Sequence, residues 1–166
     1  MKGKILVLTG DGKGKTTAAI GTAIRATGHG KRVIIVQFLK KGEYGEIKAL
    51  RNAGVEVYQF GSGEFVFQPT DEDFRRAEEA VNFALEKMME NPFLLILDEI
   101  NVALSIGVVK LEDIIELLDA RGETHIILTG RNAPPEILQK ADLVTEMKNI
   151  RHYYDKGEKA IEGLEY

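Results

Sequence analysis

Short aliphatic runs alternate with helical periods along most of this chain. Lys4 to Leu8 (KILVL) is an apolar run of strand length, followed by a glycine-rich turn and the segment TTAAIGTAIRAT, which reads as a helix closed by Gly28-His29-Gly30. Arg32 to Phe38 predicts a second strand and Gly45 to Asn52 a short helix. Val55 to Phe60, after a turn at Gly54, predicts a third strand. Thr70 to Glu90 carries the clearest helical period. Phe74, Ala77, Val81, Ala84, Leu85 and Met88 recur on one face, and Thr70 with Asp73 has the form of a capping box. Asn91-Pro92 ends that helix, and Phe93 to Leu97 is a fourth strand running into Asp98-Glu99. A helix from Leu111 to Ala120, a strand from His125 to Leu128, a short helix from Pro134-Pro135 to Lys140 and a strand from Leu143 to Met147 follow. The tail from Lys148 to Tyr166 is polar and has no clear period.

Nearly continuous aliphatic strands are buried on both faces, as in a parallel sheet covered by helices. Their alternation with helices predicts a doubly wound α/β fold with a mostly parallel six-stranded sheet. No repeat or low-complexity linker divides the chain, so residues 1–166 are expected to form one domain. Composition narrows the function. A hydrophobic fraction of 44% supplies an ordinary globular core, and a net charge of -4 argues against nucleic acid as the main partner. The absence of cysteine excludes disulfides, thiolate metal sites and cysteine nucleophiles, and accords with a cytoplasmic setting. No run approaches the roughly 18 apolar residues of a membrane span. The start, Met1-Lys2-Gly3-Lys4, leads directly into a strand without a signal peptide.

The candidate chemistry begins in Thr9-Gly10-Asp11-Gly12-Lys13-Gly14-Lys15-Thr16-Thr17. Gly14-Lys15-Thr16 fits the end of a phosphate-binding P-loop, whereas Thr9 stands at the first-glycine position and Gly10 and Gly12 supply the backbone freedom. Such a loop wraps its N–H groups around an anion and aims the following helix's positive end at it. Lys15, facing ligand rather than core, is expected on the terminal phosphates, and the Thr16 hydroxyl on magnesium. Lys13 either adds charge to this site or is solvated.

Asp98-Glu99 ends an aliphatic strand, where a second acidic element can hold magnesium beside Thr16. Thr129-Gly130-Arg131-Asn132 follows the fifth strand at the same sheet edge, and Arg131 could reach a phosphate. Arg25, on the first helix, reads as exposed or structural from the residues alone. His29, His125 and His152 are isolated and read as turn or packing residues. Phe65 and Phe67 divide evenly between packing and function.

Together these residues resemble the P-loop class of ATP:corrinoid adenosyltransferases, whose sheet is RecA-like. The resemblance covers nearly the whole chain. It is carried by TGDGKGKTTAAIGTAIRATGHGKRV, VQFLKKGEYGE, LDEINVAL, ILTGRNAPPEILQKADLVTEM and the tail RHYYDKGEKAIEGLEY. It implies attack of a cobalt(I) corrinoid on the 5′ carbon of ATP with departure of inorganic triphosphate. It also assigns Gly10 to Thr16 to the triphosphate, Thr16 with Glu99 to magnesium, Asp11 and Arg25 to the nucleoside side, and Phe65 and Phe67 to the corrinoid side. An electron-donating flavoprotein partner and a homodimer are implied as well.

Three departures from the family pattern stand out. Only three residues precede the first strand, Glu64 is an additional residue before the aromatic pair, and Asp11 stands where relatives often carry asparagine. A P-loop ATPase or small-molecule kinase, and a nucleotide-dependent binding module without turnover, are the alternatives.

Overall fold

In the computed structural model, which describes residues 1–63, 66 and 68–165, six strands form one sheet in the order β3-β2-β4-β5-β1-β6. The strands are β1 (Ile5–Thr9), β2 (Val33–Gln37), β3 (Glu56–Gln59), β4 (Leu94–Asp98), β5 (His125–Thr129) and β6 (Leu143–Glu146). All pairings are parallel, so the sheet exceeds the expected mostly parallel one. Parallel register carries a fixed consequence. The carboxyl ends of all six strands collect at one edge, and the turns at Gly30, Asn91–Pro92 and Gly122–Glu123, which lead into β2, β4 and β5, collect at the other.

The helices are α1 (Lys15–Gly28), α2 (Gly45–Asn52), α3 (Asp71–Met89), α4 (Ile100–Ser105), α5 (Leu111–Asp119) and α6 (Pro135–Lys140). Alternate strand residues send their side chains to opposite faces, giving two cores. Val7, Ile34, Val36, Leu95, Leu97, Ile126 and Leu128 pack with α3, α4, α5 and α6. Leu8, Val33, Ile35, Leu94, Ile96 and Ile127 pack with α1 and α2. The central strands β2 and β4 are buried along their entire length, and each such aliphatic side chain contributes about 1.5–3 kcal/mol by leaving water. The edge strand β6 is exposed throughout, with Leu143 and Val144 each 46% accessible.

The long helix starts as its sequence predicts. Thr70 accepts from the Asp73 N–H and its own N–H donates to Asp73 Oδ2 at 2.8 Å. Ala77, Ala80, Val81, Ala84 and Met88 are its buried face, but Phe74 is 46% exposed. It sits in the first turn and borders a surface cleft together with Val108 and Val109. The helix α4 was not legible in sequence, because six residues are too few to display a period. In the tail, Tyr153–Lys156 forms a 3-10 turn.

Candidate functional site

The loop between β1 and α1 is shaped by backbone at close quarters. Gly10 adopts φ 96°, and a Cβ there would lie 2.4 Å from the Met147 carbonyl oxygen. At Gly12 a Cβ would meet the backbone of Met147 and Lys148 at 2.8 Å. The chain after β6 therefore forms the floor of the loop, fastened by Gly12 N–H donating to the Met147 carbonyl at 2.7 Å and Met147 N–H donating to Thr9 at 2.8 Å. Helix α1 then starts after Gly14 with no side-chain cap, which leaves first-turn N–H groups for an anion.

Lys15 packs against the loop it belongs to. It is 9% exposed, and its ammonium donates to the Gly12 carbonyl at 2.6 Å, folded back on its own loop. Burial pulls its pKa below the ordinary lysine value. Glu99 and Asp11 favour its charge and Arg131 opposes it, so these groups share one electrostatic neighbourhood.

Asp98, 1% exposed at the end of β4, organises the rest. Thr16 Oγ1 donates to its Oδ1 at 2.8 Å, as does Thr129 Oγ1 at 2.7 Å. Gln37 Nε2 donates to its Oδ2 at 3.0 Å, and the Lys40 ammonium stands 3.4 Å from the same oxygen. Gln59 extends the chain of contacts, donating to Gln37 Oε1 at 2.9 Å. Glu99 follows in the left-handed region at φ 63°, its N–H donating to Thr129 Oγ1 at 2.9 Å. That conformation is uncommon outside glycine and turns the chain directly from β4 into α4. Burial and the neighbouring Asp98 push the Glu99 pKa up, while Lys40, Lys15 and Arg131 pull it back. Burial also disfavours charge on Lys40, yet Asp98, Glu99 and Glu46 together hold its pKa above the ordinary value.

Two cavities open at this edge. The first, about 430 Å³, is bounded by Lys13, Lys15, Thr16, Thr17, Lys40 and the tail residues Gly163 to Glu165. The second, about 500 Å³, is bounded by Leu39, Lys40, Tyr44, Val66, Glu99, Val102, Ile106 and Arg131. Both volumes lie in the range that holds small-molecule ligands.

Of the residues singled out from sequence, the fold brings Gly10, Gly12, Gly14, Lys15, Thr16, Asp98, Glu99 and Arg131 to one edge. Asp11 is exposed on the loop. Lys13 pairs with Glu165 at 2.9 Å, and Glu165 also accepts from the Tyr153 hydroxyl. Arg25 is exposed in the last turn of α1, roughly 15 Å along the axis from Lys15 at the usual helical rise. It shares the solvent-facing stripe of Thr17 and Gly21, and Thr17 borders the first cavity. Phe65 and Phe67 lie outside the described residues; Val66 and Gly63 border the second cavity. His125 accepts the Lys4 N–H and packs on Phe93, and His152 caps the tail's 3-10 turn. Among the described residues no cluster of three His, Cys, Asp or Glu forms a metal site on its own.

Gln37, Lys40 and Gln59 were missed in sequence. The signal at Gln37 and Gln59 is polarity at the end of a strand, where burial of an amide requires a partner, whereas Lys40 lies in the loop after β2 and gives none. Thr129 was noticed only as part of a turn.

Known proteins share both fold and sequence with this chain. The fold is similar to that of the flagellar accessory protein FlaH from Methanocaldococcus jannaschii, with a TM-score of 0.56 at 13% identity over 87% of this chain and 70% of that one. The sequence is 40% identical to the corrinoid adenosyltransferase CobA of Salmonella typhimurium over 99% of this chain and 86% of that protein. It is 37% identical to the corrinoid adenosyltransferase of Escherichia coli over the same shares. The family model for ATP:corrinoid adenosyltransferases BtuR/CobO/CobP matches residues 1–166. With its phosphate-type loop and its acidic pair at one sheet edge, the chain belongs to that adenosyltransferase family.

Proposed function

We propose that this chain transfers the 5′-deoxyadenosyl group of ATP to the cobalt of a reduced corrinoid and releases inorganic triphosphate. The observation that carries this reading beyond family membership is the pair of adjoining cavities. One opens on the phosphate-type loop and the other, more apolar, adjoins it across Lys40. Two substrates so placed can react with each other directly. Cobalt(I) supplies an electron pair to C5′, the C5′–O5′ bond breaks, and its pair leaves on the triphosphate, with cobalt ending formally as cobalt(III).

In this reading the chain's own residues bind, orient and neutralise. The loop N–H groups from Gly10 to Thr16 other than that of Gly12, which donates to Met147, hold the polyphosphate with the Lys15 ammonium, and Arg131 adds positive charge beside Glu99. Asp11, Lys13 and Arg25 border the nucleotide, with the nucleoside along the exposed face of α1. Phe65 and Phe67 flank the corrinoid.

The donors at Thr16, Asp98 and Glu99 are all oxygens, and two carboxylates plus a hydroxyl suit magnesium, which takes its remaining ligands from phosphate and water. Thr16, Asp98 and Glu99 would hold it, directly or through water. Magnesium would supply neutralisation of polyphosphate charge.

A flavoprotein electron donor, a homodimer and a cytoplasmic setting belong to the same proposal. The first is supported by the need for cobalt(I) in a chain without redox-active cysteine. Among the described residues no helix is long and apolar enough to cross a membrane. The test is anaerobic incubation with ATP, magnesium and chemically reduced corrinoid. Adenosylcorrinoid and triphosphate in equal amounts are expected. ADP and phosphate would instead favour a P-loop ATPase or kinase, and tight ATP binding without product a binding module.

A further inference from the structure

Among the described residues, the walls of the two cavities have one in common, Lys40. Lys15 and Lys13 border only the first, and Arg131 only the second. If the triphosphate lies in the first cavity and the corrinoid in the second, the reading on which this inference rests, the C5′–O5′ bond must lie where they meet. An in-line displacement places O5′ on the polyphosphate side of C5′. The oxygen that gains charge as the bond breaks is therefore presented to the junction. We propose that Lys40 is a catalytic cation, meeting that oxygen and stabilising the charge that appears on the α-phosphate end as triphosphate leaves.

The geometry makes this lysine free to serve. Its 3.4 Å approach is the longest of the four contacts to Asp98. Thr16, Thr129 and Gln37 remain on that carboxylate if the ammonium moves, so the departure leaves no buried charge without partners. The Lys40 side chain is also 29% exposed, with room to turn toward either cavity. By contrast, the Lys15 ammonium is held at 2.6 Å inside its own loop.

Differential binding gives the inference a test that does not depend on turnover. In ATP the α-phosphate oxygen is an ester; in free triphosphate it carries charge. A group that acts on the leaving oxygen should distinguish the two. Calorimetric titration of Lys40→Met with magnesium and triphosphate should show affinity weakened about tenfold, with ATP affinity changed less than about threefold. With prereduced corrinoid, kcat should fall about 100-fold with little change in the KM for ATP. Lys40→Arg, which keeps the charge, should recover at least about tenfold of that loss and guards against a folding defect in the methionine variant. Equal weakening of both ligands, or neither, would overturn the role, as would loss confined to KM. A wild-type protein that releases ADP in place of triphosphate would instead sink the adenosyl-transfer reading, whatever Lys40 does in the binding arm, and the catalytic role with it.

Discussion

Thr16 and Asp98, 82 residues apart in the chain, meet at 2.8 Å with the hydroxyl donating to the buried carboxylate. The contact joins the start of α1 to the end of β4 and so links the phosphate-type loop to the centre of the sheet. Asp98 receives Thr129, Gln37 and Lys40 as well. Asp98→Ala should therefore cost about 2–4 kcal/mol in urea unfolding, since it strands several buried donors at once. It should also reduce turnover more than about 100-fold. Asp98→Asn, which keeps one acceptor oxygen, should recover much of the stability and little of the activity.

Lys15→Ala should separate ligand binding from folding. Among the described residues the ammonium hydrogen-bonds its own loop at Gly12 and pairs with no carboxylate, so its removal leaves no buried carboxylate unpaired. The melting temperature should stay within a few degrees, while ATP affinity falls roughly 10- to 100-fold and turnover is lost. A collapse of the fold in circular dichroism would show that Lys15 holds the loop together rather than the ligand.

Gly10→Ala introduces a methyl 2.4 Å from the Met147 carbonyl oxygen at a positive φ. Backbone strain of this kind costs about 1–3 kcal/mol, and relief requires the chain after β6 to move off the loop. Both thermal stability and ATP affinity should fall together. Gly21→Ala, on the exposed face of α1 with open space around its Cβ, is the matched control for thermal stability. It should raise stability by up to about 1 kcal/mol.

Asp142 fixes the start of β6 to β1. Its Oδ2 accepts the Ile5 N–H at 2.8 Å and its Oδ1 the Lys4 ammonium at 3.1 Å. The Ile5 hydrogen bond, with Lys4 second, holds its pKa below the usual 3.8. An acid whose folded pKa is depressed stabilises the fold fully above its unfolded value and loses that contribution as pH falls through the folded one. Asp142→Asn should lower the melting temperature at neutral pH. The difference from wild type should shrink below about pH 4, measured by melting across a pH series. A constant gap at every pH would remove ionisation from the explanation.

The strands, the long helices and the loop were legible because each is a local pattern. Glycines, Lys15 and Thr16 are contiguous, and Asp98-Glu99 ends an aliphatic run. What escaped notice depends on strand order. Gln37 meets Asp98 because β2 lies beside β4, and Thr129 meets it because β5 lies on the other side. No hydrophobic period encodes that neighbourhood. The pairing of Lys13 with Glu165 spans 152 residues and arises in a tail without periodicity. The burial of Lys15 was unreadable for a related reason: a lysine in a turn looks exposed until the loop closes around it.

The one-directional sheet also leaves the molecule with an end remote from the phosphate-type loop. The turns at Gly30, Asn91–Pro92 and Gly122–Glu123 stand a strand's length from the acidic pair and the loop. Gly122 and Glu123 are exposed there. This end offers a handle for fluorophores, affinity peptides or surface immobilisation that would leave both cavities facing solution. A fusion made through the residues after β6 would instead pull on the floor of the loop.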